Sequence, residues 1–105
     1  MEQEKLNTHL AMLHCLILLS GYESDKERQK EQQETIARFC RHHRLYPETS
    51  DITAVDPTRV FARIQDRGLK EEITGFLIRF TCGKEQETQQ KKWIALARLL
   101  VSLRE

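Results

Sequence analysis

Four histidines and three cysteines are the side chains of this 105-residue chain best suited to ligate a transition metal or to attack an electrophile. A zinc pair on one helix needs histidines four apart, whereas His9 and His14 are five apart and diverge by about 140° around a helix. His42 and His43 are adjacent and diverge similarly. A metal site would have to assemble between helices, from Cys15 or Cys40 with a histidine, and nothing in the spacing brings them together. Cys40 precedes Arg41, His42 and His43, whose charge could lower a thiol pKa, but its place on the apolar face of "IARFC" reads as packing. No glycine-rich phosphate loop, HExxH or GxSxG occurs, so nucleophile, oriented base and oxyanion donor all lack a context. The expectation is a protein that is not an enzyme, with no metal ligands and no cofactor.

Arginines are the other chemistry-bearing group. Arg59, Arg63 and Arg67 recur every four residues, and on one helix they would form a line able to grip carboxylates or phosphates. The plainer alternative is a solvated face whose charges pair with Asp66, Glu71 or Glu72. A net charge of +1 gives no global attraction to nucleic acid, so such a partner would depend on this local stripe.

These groups are positioned by helices. Leu6, Leu10, Leu13 and Ile17 recur at helical spacing, and Met12, Leu16 and Leu19 widen the stripe until the segment is apolar nearly all round. That pattern places the first helix at the centre, ended by Gly21 in a positive-φ turn. Glu23 to Thr35 then holds no apolar side chain. Ser24 and Glu27 have the spacing of a capping box, so the second helix starts near Asp25 and the polar run is its solvated first half. Ile36, Phe39 and Cys40 supply its apolar face, and His42 and His43 sit in the last turn, at the negative end of the helix dipole.

Pro47, Ser50, Asp51 and Thr53 mark a loop, with Ile52 and Val55 as its anchors to the core. Asp56 followed by Pro57 is a cap with proline at the first helical position, which predicts a short third helix from Pro57 to Asp66 through Val60, Phe61 and Ile64, ended by Gly68. Leu69, Ile73, Phe76, Leu77 and Phe80 mark a fourth helix stopping around Gly83. Trp93, Leu96, Ala97 and Leu100 mark a fifth, after the polar opening Lys84 to Lys92. No strand alternation is visible, so the fold is all-α, in one domain spanning residues 1–105.

Gly21 and Gly83 define an internal repeat: an apolar helix, a small residue, glycine, a polar run, then "IARFC" or "IALARLL". Each half is a helical hairpin unable to cover its own apolar face, so the two pack as a four-helix core with the third helix bridging them. This arrangement resembles the TerB-like (tellurite-resistance protein B) domains, built from two halves that each carry an Asp-Gly pair after an apolar helix. Here "SGYESDKE" keeps the glycine, the capping serine and Glu27, and "CGKEQETQ" keeps the glycine alone. The family's acidic positions are associated with divalent cations. Ser20 and Cys82 stand where those aspartates would be, so the resemblance implies the fold without an evident oxygen cage.

Three cysteines with no CxxC spacing read as reduced, buried thiols of a cytoplasmic protein. Leu10 to Leu19 is too short to span a bilayer and follows an acidic start, which argues against a signal peptide or membrane segment. The expected function is macromolecular binding, with another protein as partner and Arg59, Arg63 and Arg67 as the contact. The alternatives are a TerB-type divalent metal-ion binder and a nucleic-acid accessory protein using the arginine stripe.

Overall fold

The computed structural model describes residues 2–23, 25–46, 55–81 and 90–104, which form five helices and no strand. They are α1 (Glu2–Gly21), α2 (Lys26–His43), α3 (Pro57–Ala62), α4 (Arg67–Thr81) and α5 (Gln90–Arg104). Sequence expectations for Ser24, for the loop at Pro47 to Thr53, for Cys82, Gly83 and the polar run after them, and for the Trp93 side chain lie outside what is described.

The first helix is central because it is apolar nearly all round, and it packs against each of the other four. Its buried face is Ala11, Met12, Leu13, Cys15, Leu16 and Leu19, and each large side chain here contributes about 1.5–3 kcal/mol of burial. The register differs from the expected stripe. Leu13 is buried and Leu10 half-buried, whereas Leu6 and Ile17 lie outside the packed face, about two-fifths exposed. α1 with α2 and α4 with α5 form the two hairpins, and α3 joins them by packing on α1 and α5 through Phe61. In α5 the core positions are Leu96, Leu99 and Leu103, and Ala97 is exposed.

Local chemistry sets the helix ends. Gly21 is the last residue of α1 but takes no positive φ, and a Cβ built there meets nothing within 4 Å. The chain turns with helical geometry, Tyr22 N and Glu23 N bonding to Leu19 O and Ser20 O, and glycine's conformational freedom goes unused. The described cap of α2 is Asp25, whose Oδ1 accepts from the amides of Glu27 and Arg28 at 3.0 and 3.3 Å. The reach-back to the cap comes from Glu23, whose Oε2 accepts from Asp25 N at 3.2 Å. α2 ends with Arg44 in the left-handed region (φ 55°), after which Leu45 N bonds Cys40 O at 2.8 Å.

α3 begins as expected, with Pro57 at its first position and Thr58 N donating to Asp56 Oδ1 at 3.1 Å. It ends four residues early. Asp66, expected inside α3, instead starts α4, accepting from Leu69 N at 3.2 Å through Oδ1 and from Lys70 N at 3.1 Å through its carbonyl. Gly68 is therefore no terminator. It lies in the first turn of α4, where a Cβ would come 3.3 Å from that capping carboxylate. Among the described residues no helix is long and apolar enough to cross a membrane.

Candidate functional site

The polar run after α1 proves to be a connector between helix ends. α1 and α4 both point their C-terminal carbonyls at the first turns of α2, and unsatisfied carbonyls at a covered helix end must find donors. Arg28 Nη2 donates to Arg79 O and to Phe80 O, each at 2.9 Å, and Gln32 Nε2 donates to Phe80 O at 3.0 Å. Gln29 Nε2 reaches Ser20 O at 2.9 Å, and Gln33 Nε2 reaches Ser20 Oγ at 2.9 Å. Gln32 is only 1% exposed, so the expectation of a wholly solvated stretch is corrected. Arg28 also brings a positive charge to the negative end of the α4 dipole. Beside this bridge, Arg28, Gln32, Thr35, Phe76, Arg79 and Phe80 line a notch of about 290 Å³.

Ser20, the small residue before Gly21, is fully buried with its hydroxyl held by Gln33. Among the described residues no three His, Cys, Asp or Glu side chains are grouped to hold a metal ion. Cys15 is fully buried and desolvation pushes its thiol up to about 12, which removes it as a nucleophile. Cys40 is also buried, on the apolar face of α2.

The histidines are arranged by tertiary contacts. His14 Nδ1 lies 3.0 Å from Val55 O; a carbonyl only accepts, so this nitrogen carries the proton and ties α1 to the chain two residues ahead of α3. His9 of α1 stacks on His43 of α2, with ring centroids 3.9 Å apart and planes tilted by 34°. His42 meets His43 edge-on at 4.7 Å, and Phe39 backs the pair at 4.5 Å from His43 and 6.3 Å from His9. Desolvation lowers the pKa of both His9 and His43, and the neighbouring imidazoles add to it, with Lys5 also acting on His9.

The arginine stripe does not form as one helical edge. Arg59 lies in α3, Arg63 caps its C-terminus, and Arg67 opens α4. All three are exposed. Arg59 Nε is 3.9 Å from Asp56 Oδ2 with 81% of its side chain exposed, a contact worth little in water. Its presence matches the plainer role for Arg59, though with a different acidic partner from those anticipated.

What the break in the helix creates is a groove of about 860 Å³ beside the α3–α4 turn, closed on one side by α5. Ala62, Ile64, Gly75 and Leu103 make it apolar, and Arg67, Lys70, Glu71, Thr74 and Gln65 give it polar edges. Arg67, Lys70 and Thr74 fall at i, i+3 and i+7, one face of α4. Of the three arginines singled out from spacing, Arg67 lines this groove and Arg59 and Arg63 do not. Lys70 was missed, because its relation to Arg67 becomes visible only once α4 is known to begin at Arg67.

Comparison of this chain with protein-family profiles, with curated proteins and with solved structures found no match.

Proposed function

We propose that this protein is a small helical binding module that takes an acidic, partly apolar segment of another protein into the groove beside the α3–α4 turn. The supporting observation is one groove that combines an apolar floor, Ile64 and Leu103, with two cations on one face of α4, Arg67 and Lys70. Its volume falls in the range of pockets that receive a few side chains, roughly 300–1,000 Å³. Arg67 offers a planar fork matched to a carboxylate, and Lys70 a mobile point charge. Glu71 on the same rim disfavours a ligand that is anionic along its whole length, such as a nucleic-acid backbone, and suits a peptide that alternates acidic and apolar groups.

The reading is tested by placing a photo-crosslinking amino acid at Gln65, which lines the groove, and at Lys30, exposed on α2, as the control. Irradiation in the source cell should give a protein adduct from position 65 alone, mapped to an acid-rich peptide and lost in Arg67→Gln/Lys70→Gln. Equal adducts from both positions, or recovery of nucleic acid from position 65, would refute the groove as a protein site.

The second reading is a divalent-cation binder of the intact TerB type, which rests on the sequence resemblance alone; among the described residues no three His, Cys, Asp or Glu side chains are grouped to hold such an ion. Calorimetric titration of metal-free protein with calcium, zinc and manganese separates the two. Micromolar binding that disappears in Glu27→Ala would replace the groove reading with the metal one.

A further inference from the structure

We infer that the His9/His42/His43 cluster is a proton-operated latch that holds the last turn of α2 against the N-terminal half of α1 and releases it on acidification. The geometry carries the inference. Two imidazoles from residues 34 positions apart stack at 3.9 Å across a helix interface, a third meets one of them at 4.7 Å, and an aromatic floor, Phe39, underlies the stacked pair. Neutral rings in that arrangement gain aromatic contact and cover the floor. Two imidazolium ions at the same separation repel, more strongly than two fully exposed charges because His9 and His43 are partly buried.

Charged groups nearby reinforce the effect. From α1 the cluster meets Lys5, and from α2 His42, both of which act against a proton on His9. α4 approaches through Phe76, 6.2 Å from Phe39, and its charged residues nearest in register, Glu72 and Arg79, are exposed. The α2 dipole works in the opposite sense, since a last-turn imidazolium suits the negative helix end. Burial and the neighbouring imidazoles act against the proton on His43 and lower its pKa.

The sign follows from linkage. His9 and His43 bind protons less readily when docked than when free, so the docked form gains stability above the free-histidine value of 6.5. That gain is lost as pH falls through the lowered docked values. Opening should therefore grow on the acid side of 6.5, by about tenfold per pH unit for each proton taken up. What opens is the segment Cys40–Leu45, which is stitched to itself by Leu45 N to Cys40 O and buries Leu45. Farther up α2, the bonds of Gln32 and Arg28 to α4 carry no titrating imidazole and should hold.

Amide hydrogen exchange at pH 7.5 and pH 5.0 in EDTA, each normalised to intrinsic rates, provides the test. Protection of Arg41, His42 and His43 should fall roughly severalfold at the lower pH while that of Gln32 to Ile36 stays constant. His43→Phe keeps a ring in the stack and removes one of the two coupled proton sites, so it should shrink the fall, and His9→Phe/His43→Phe should abolish it. Should His43→Phe not fold, His9→Phe reads the same coupling from α1. An acid-induced fall that is absent in the wild type, that is uniform along α2, or that persists undiminished in the single variants overturns the latch.

Discussion

Arg28 is where the cost of an uncapped helix end can be worked out most directly. Replacing it by methionine keeps the length, the apolar stem and the helix propensity while removing the guanidinium. The contacts that go include the bonds to Arg79 O and Phe80 O at 2.9 Å and the pair with Glu31 at 3.0 Å. They are unequal. Phe80 O keeps the Gln32 amide at 3.0 Å, so its loss is small. Glu31 has 65% of its side chain exposed, which limits that pair to about 0.5 kcal/mol. Arg79 O loses a charge-assisted donor, worth about 1.5–3 kcal/mol. The expected destabilisation is about 2–3 kcal/mol, a large part of the roughly 5–15 kcal/mol that holds such a domain. Urea denaturation followed by circular dichroism at 222 nm measures it, with Glu31→Gln as the control that removes only the ion pair. The lysine variant should recover part of the loss, since an ammonium keeps the charge at the dipole end but cannot fork across two carbonyls. A loss below about 0.5 kcal/mol in Arg28→Met, or an equal loss in Glu31→Gln, would show that α2 does not cap α4.

At the start of α2, Asp25→Ala should cost about 1 kcal/mol by orphaning the Glu27 and Arg28 amides, read as a lower urea midpoint at unchanged slope; a neutral result would move the cap elsewhere. Gly21→Ala should be neutral or stabilise by about 0.4–1 kcal/mol, because the site has helical backbone geometry and open space, and a measured loss would show a positive-φ turn there after all.

Apolar periodicity was enough to read five helices and the pairing of two hairpins from residue types, because a stripe at helical spacing has to be buried against another stripe whatever the detailed packing. Asp56–Pro57 and the last-turn histidines of α2 were legible for a similar reason, since caps and dipole partners act within one turn. Stripe register was less legible. A helix as apolar as α1 offers several faces, and its neighbours selected the one through Leu13, Leu16 and Leu19 over the line from Leu6 to Ile17. The break at Asp66 rested on two competing local signals, a glycine stop at Gly68 and a carboxylate cap two residues earlier, and the cap prevailed by satisfying amides that a longer α3 would have left to other acceptors.

Composition and spacing alone settled that this chain buries amphipathic helices against one another, because burial and capping are properties of short stretches of chain. Tertiary structure decided which polar side chains leave the solvent. A glutamine in "KEQQET" reads the same whether it faces water or the carbonyl of Phe80, 48 residues away, and only packing puts that carbonyl within 3.0 Å. His9 and His43, each unremarkable in its own helix, become a stacked pair for the same reason, and Arg67 gains Lys70 and an apolar floor only where α3 stops and α5 closes in. Hydrogen bonds and charge pairs act over a few ångströms in space without regard to distance along the chain, so the site belongs to the fold.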